Sequence, residues 1–261
     1  PALAQRDRAR TAFDSDAQYE LRNPSGTVVA SATDASGADN AWYTLFDSNT
    51  VAVSFVAAAT ATNNVDATAS IGVGLPAGIV STDFLLAFIA RDADAAPGAV
   101  TAPADWTLVN EGACAANACS LSVFQRFVGT AAGAQTFTWT GGQQATGAIL
   151  AYRGVNTATP LDTAATTSTG ATDGIAAPAI TTVTNNAMVV RAGAESGSMA
   201  AFGPPGGHTE RFDLETTTAP GTSIVASTGA DFVDATAGAN AIATFTNTGA
   251  STAWRGISIA L

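Results

Sequence analysis

From residue 51 onward the sequence is a series of short Thr-, Val- and Ala-rich runs, each cut off by Gly, Pro, Asn or Asp. β-Branched and aromatic residues suit a half-buried pleated surface, and the intervening residues suit tight turns. That rhythm predicts strands over 51–59, 66–73, 83–90, 105–110, 119–128, 135–140 and 145–153. A second set follows over 178–183, 186–194, 208–214, 222–228, 240–247 and 253–261. In Gln135-Thr136-Phe137-Thr138-Trp139-Thr140 the aromatics alternate with Thr, which makes one face apolar and the other polar. Ser122-Val123-Phe124-Gln125-Arg126-Phe127-Val128 has adjacent apolar pairs and reads as a central strand with a bulge. Residues that support helices through surface charge pairs are scarce: the chain has no Lys, and only 12% of it is charged, against about 25% in an ordinary domain. The expected fold is all-β, an antiparallel, jelly-roll-like β-sandwich with an N-terminal arm.

The two sets of strands read as an eroded internal duplication. Val80-Ser81-Thr82-Asp83-Phe84-Leu85-Leu86 parallels Val183-Thr184-Asn185-Asn186-Ala187-Met188-Val189. Pro103-Ala104-Asp105-Trp106-Thr107 parallels Pro205-Gly206-Gly207-His208-Thr209, and Gly147-Ala148-Ile149-Leu150-Ala151-Tyr152 parallels Gly256-Ile257-Ser258-Ile259-Ala260-Leu261. The expected organisation is an arm and hairpin over 1–50, then a sandwich over 51–261 with related halves at about 51–158 and 175–261. The Thr/Gly/Ala-rich stretch from Thr163 to Gly174 reads as a linker or a long crossing loop.

Residues 1–24 differ in character. Arg6, Arg8, Arg10 and Arg22 balance Asp7, Asp14, Asp16 and Glu20, and the apolar spacing of Leu3 and Phe13 is poor for a helix. This segment reads as an arm that docks on a neighbouring subunit or lattice, with Arg6, Arg8, Arg10 and Phe13 as docking candidates. From its end onward, Tyr19-Glu20-Leu21-Arg22, the turn Asn23-Pro24-Ser25-Gly26 and Thr27-Val28-Val29-Ala30-Ser31 form a predicted hairpin. A further strand is expected near 42–46, where Trp42 and Tyr43 are candidate contact residues. Pro1 fits the removal of an initiator Met from a protein made without secretion; Ala2-Leu3-Ala4 is the alternative, as the remnant of a signal-cleavage site.

The formal net charge is −11. A field of that sign repels phosphate backbones and anionic lipid, so neither nucleic acid nor membrane is an expected partner. No apolar run reaches the roughly 20 residues of a membrane span. Cys114 and Cys119 lie between two strand-like runs and read as a disulfide closing a hairpin loop; free thiols are the alternative. Zinc needs about four N, S or O ligands, and the chain has one His and no second Cys pair, so no metal site or other cofactor is expected.

Catalytic arrangements are thin. His208 is the sole imidazole and occupies the slot that Trp106 fills in the first half, which points to packing. Asp92 and Asp94 sit in a turn-rich segment, too few oxygens for calcium, and Glu210, Asp213 and Glu215 alternate along one strand rather than converging as a glycosidase pair does. Gly141-Gly142, Pro204-Pro205 and Gly206-Gly207 are turn chemistry, and Trp106 and Trp139 suit a core. No catalytic residue is assigned.

The run Pro103-Ala104-Asp105-Trp106-Thr107-Leu108-Val109, the strand from Phe124 to Phe127, Thr136-Phe137-Thr138-Trp139, and Ala148-Ile149-Leu150-Ala151-Tyr152-Arg153-Gly154-Val155 resemble a β-sandwich module of tailed-phage structural proteins and bacterial surface proteins. The resemblance spans about 51–261, carries turns and core aromatics, and departs from the module at Asp105, where Gly is usual. It implies a non-enzymatic virion protein on the particle surface: head decoration, head fibre or tail surface. Its implied partners are capsid or tail proteins of the same particle and further copies of itself. A secreted bacterial surface or filament module, or a glycan-binding sandwich, is the alternative.

Overall fold

The structure is a computed structural model, and it describes residues 18–22, 28–33, 52–92, 98–197, 201–217, 224–248 and 253–261. The chain divides into two compact units, Pro1–Val51 and Ala52–Leu261. The first contains a hairpin, β1 (Gln18–Arg22) antiparallel to β2 (Val28–Thr33), as the Asn-Pro-x-Gly turn predicts. Arg6, Arg8, Arg10, Phe13, Trp42, Tyr43, Asp94 and the strand expected near 42–46 lie outside the described residues.

The second unit is an all-β sandwich whose two halves repeat one topology. The first half holds β3 (Ser54–Asn63), β4 (Ser70–Val73), β5 (Phe84–Asp92), β6 (Thr107–Ala113), β7 (Cys119–Phe127), β8 (Gln135–Thr138) and β9 (Ala145–Arg153). The second holds β10 (Thr163–Gly170), β11 (Ile175–Ala177), β12 (Ile180–Thr181), β13 (Ala187–Ser196), β14 (Phe202–Gly203), β15 (Thr209–Glu215), β16 (Val225–Asp234), β17 (Ala239–Asn240), β18 (Ala243–Asn247) and β19 (Trp254–Ala260). The five-stranded sheet runs β3-β9-β5-β7-β6 in the first half and β10-β19-β13-β16-β15 in the second, all antiparallel. A small sheet covers the outer face of each: β4-β8 in one, and β11-β18-β14 with β12-β17 in the other.

The segment read as a linker is therefore the edge strand β10, which holds in the second half the place of β3 in the first. Its sequence, TAATTSTG, offers no apolar alternation because an edge strand buries little. The bulge expected in β7 lies instead in its neighbour β6, between Leu108 and Asn110.

The two large sheets pack face to face. Phe84, Leu86, Phe88, Leu121, Val123, Leu150 and Tyr152 from one meet Met188, Val190, Phe212, Val225, Ile257, Ile259 and Leu261 from the other in a single core. The outer face of each large sheet buries a second core against its small sheet, around Ile71, Ile89, Phe124 and Phe137 in the first half and Ile175, Phe202 and Phe245 in the second. Strands such as β5 and β13 are thus buried on both faces, which explains their unbroken apolar runs.

Matching positions do matching work in both halves. Asp105 and Gly207 both have positive φ, 69° and 79°, at the same place in the turns closed by Trp106 N–H to Pro103 O and His208 N–H to Pro205 O. That is a left-handed position where Gly is the easy residue. Glu111 accepts the Val100 N–H at 2.8 Å, and Asp213 accepts the Phe202 N–H at 2.9 Å.

Candidate functional site

Buried ionisable groups mark where a fold spends polar chemistry, so they locate the candidate sites. The most central group crosses the seam between the halves. Tyr152, fully buried at the end of β9, donates its hydroxyl to Asp231 of β16 at 3.0 Å. Arg211 of β15 holds the same carboxylate through Nε and Nη2, each at 2.8 Å, and its guanidinium lies 3.8 Å from the Phe55 ring centre. Burial, followed by the Asp231 charge, pushes the Tyr152 phenol well above its ordinary range. A phenol so held is a hydrogen-bond donor at neutral pH, and its acceptor is already occupied. Elsewhere on the seam Thr146 and Ser227 share a hydrogen bond of 2.7 Å, and Arg255 reaches Asn110 Oδ1 at 2.6 Å.

A second cluster lies between the first half's sheets. Arg91, with no exposure, donates to Gly98 O at 2.6 Å, stands 4.0 Å from Glu111 and faces the Trp139 ring at 5.4 Å. Glu111 also accepts from Ser122 Oγ at 2.6 Å. In the second half Glu195 takes the place of Arg91, each lying across from the residue two before the paired glycines Gly147 and Gly256. Asn247 takes the place of Trp139 and hydrogen-bonds Glu195 at 3.0 Å. The two halves thus place a contact at the same position with different chemistry.

The third cluster is Arg191, buried mid-strand in β13. It donates to the carbonyls of Ala177, Pro178 and Ala241 and to Ser258 Oγ, and so ties the outer layer, where β11 gives way to β12 and β17 to β18, to the large sheet. Desolvation lowers its pKa. His208 packs edge-on against Phe232 at 4.5 Å, and its Nδ1 lies 3.1 Å from Gly206 O. Burial first, and the Arg191 charge after it, push the imidazole below its ordinary value.

Cys114 and Cys119 are joined in a disulfide across the β6–β7 hairpin. Both are buried in the seam core, with sulfurs 3.8 Å from Ala194 O and 3.6 Å from Ala253 O of the other half. Having no proton, these sulfurs make packing contacts there, so the bridge supports the inter-half core as well as its own loop. The bulge in β15 sets Glu210, Asp213 and Glu215 in a row on one face, opposite Ala230, Thr228 and Ala226. Desolvation first, and the neighbouring carboxylate after it, raise the pKa of Glu210 and Asp213; Asp213 accepts the Phe202 N–H, and Asp92 is buried. Trp106 packs against Phe137 at 5.6 Å and donates to Gln135 Oε1 at 3.0 Å, and Trp139 is core. Among the described residues no three His, Cys, Asp or Glu side chains gather as metal ligands, and no helix is long and apolar enough to cross a membrane.

No family model, curated protein or solved structure matches this chain.

Sequence reasoning missed the Tyr152–Asp231–Arg211 clamp and the two buried arginines. Arg91 and Arg191 did leave a signal: each follows an unbroken apolar run within its strand, FLLAFIA before Arg91 and AMVV before Arg191. The clamp left none, because its partners are 79 residues apart.

Among the described residues the large sheets end in four open edges, β3, β6, β10 and β15. β15 carries Glu210, Arg211, Asp213 and Glu215 along its edge, and β6 carries Glu111 and a bulge. β3 and β10 carry no charged side chain.

Proposed function

We propose that this chain is a non-enzymatic structural protein that works by contact, as a subunit on the outside of a tailed-phage particle: head decoration, head fibre or tail surface. The observation that carries the non-catalytic reading is how four of its carboxylates are engaged. Glu111 and Asp213 hold backbone at matching positions, Asp231 is clamped by Arg211 and Tyr152, and Asp83 is held by Arg153 and the Val80 N–H. Carboxylates engaged in holding the scaffold, one pair of them at matching positions in the two halves, serve rigidity rather than a reaction. The disulfide suits an oxidising working environment, and the Pro103-to-Val155 motifs resemble modules of such particles.

The partners in this reading are capsid or tail proteins of the same particle, with apolar burial at the contact opposed by the cost of association and repetition on the lattice adding avidity. The uncharged strand edges, unpaired among the described residues, also favour a second reading, a secreted bacterial surface or filament module built by strand pairing. Electron microscopy of the source particle with an antibody raised against the 52–261 unit separates the two. Regular labelling of heads or tails is expected. Labelling of cell-derived fibres, with bare particles, overturns the virion reading.

A further inference from the structure

We propose that the outer edge of β10 is a self-association surface, pairing antiparallel with β10 of a second copy to join the two large sheets into one. This deepens the assembly reading above by naming the contact. β10 ends its sheet, with β19 on one side and no strand among the described residues on the other. An edge strand offers unpaired N–H and C=O groups, and proteins ordinarily blunt such edges with charge, Pro, bulges or cover. β15 and β6 are blunted in these ways. β10 has no charge and no Pro, and its one irregularity, between Thr163 and Thr166, leaves Thr166 to Gly170 in regular register with β19.

The occupant is a second copy because the segment complements itself. With Ser168 on the two-fold axis, Thr167 faces Thr169 and Thr166 faces Gly170. Opposed Thr pairs stabilise antiparallel strands, and Thr167 and Thr169 are the exposed side chains of this run. The nearest acids are Asp162 and Asp173. Both lie outside the regular run from Thr166 to Gly170, so the paired segment itself carries no carboxylate despite the net charge of −11. Thr166 Oγ1 and Ser168 Oγ are bonded inward to Ala179 O and Ala176 O, which fixes the strand before it pairs. Two copies would form a continuous sheet of ten strands, five from each. β3 is the rival edge. It is also uncharged and is regular from Ala57 to Asn63, but Arg211 of β15 overlies Phe55 near one end and Asn64 just past the other accepts the Thr217 N–H, so the opposite half packs against it.

So short a contact buries less than about 1,200 Å², the range of weak and transient pairs. Sedimentation velocity of the full chain is therefore run from roughly 1 to several hundred μM. The expected result is a monomer that doubles in mass as concentration rises. Thr167→Lys should weaken the dimer at least tenfold, while Thr60→Lys on β3 leaves it unchanged, with circular dichroism showing all three proteins folded. A wild type that stays monomeric throughout, a Thr167→Lys variant that still dimerises, or loss of the dimer in Thr60→Lys instead overturns the inference. A monomer that nevertheless labels the particle surface would sink this contact and leave the proposed function standing.

Discussion

Replacing Tyr152 by Phe removes one oxygen from the centre of the seam and nothing else. The ring stays, so no cavity opens, and the whole effect falls on Asp231. That carboxylate is 1% exposed and loses one of three donors, keeping the two Arg211 bonds at 2.8 Å. A hydrogen bond to a charged group contributes about 1.5–3 kcal/mol, and the surviving pair places the cost near the lower end, at about 1.5–2 kcal/mol. Arg211→Met leaves the buried carboxylate with the phenol alone and should cost more, about 3 kcal/mol. The two act through one acceptor, so the double variant should depart from the sum of the singles by at least about 0.5 kcal/mol. Urea unfolding of the 52–261 unit, followed by tryptophan fluorescence and far-UV circular dichroism, reads all three. Because the halves share a core, both probes should report one transition. The pH dependence adds a sign. A phenol kept neutral in the folded state loses its proton more readily once unfolded, so wild-type stability falls as pH rises above the ordinary tyrosine value. The Phe variant lacks that loss. A Tyr152→Phe cost below about 0.5 kcal/mol, or separate transitions for the two halves, would refute the account of the seam.

Gly193→Ala should destabilise by about 1–3 kcal/mol, since an added methyl would stand 2.4 Å from Ile175 Cγ2 and 2.9 Å from Arg255 O; thermal unfolding measures it. Removing the disulfide as Cys114→Ala with Cys119→Ala should cost about 2 kcal/mol from loop entropy, plus the packing both sulfurs make across the seam, so a loss clearly above 2 is expected in urea titration. His208, the only imidazole, is held neutral by burial. Its folded pKa lies below its unfolded value, so the melting temperature should fall as pH drops through the range just below the ordinary histidine value, and His208→Phe should flatten that slope.

The order of strands was legible because each large sheet is buried on both faces. β5 and β13 must then be apolar throughout, and turn residues must punctuate them. The repeat was legible wherever a turn demanded a special backbone, as at Pro103 to Trp106 and Pro205 to His208. β10 was illegible for the opposite reason: an edge strand with little to bury needs no apolar residue, and Thr and Ala satisfy it as they satisfy a loop. The packing of half on half was hidden for another reason. Tyr152, Asp231 and Arg211 meet only once both sheets exist, and nothing local in the chain requires them to.

The seam between the halves is not symmetric, and covalent linkage permits that. Two separate copies meeting about a dyad must accept every substitution twice, once on each side. Here Tyr152 lies five residues after Gly147, while Leu261, five after Gly256, holds the corresponding place. One side is polar where its counterpart is greasy. Tethering also keeps the pair together at any dilution, because the second half never has to be found. A protein joined in this way can specialise one face for a neighbour and leave the other to solvent, which a pair of identical subunits cannot do.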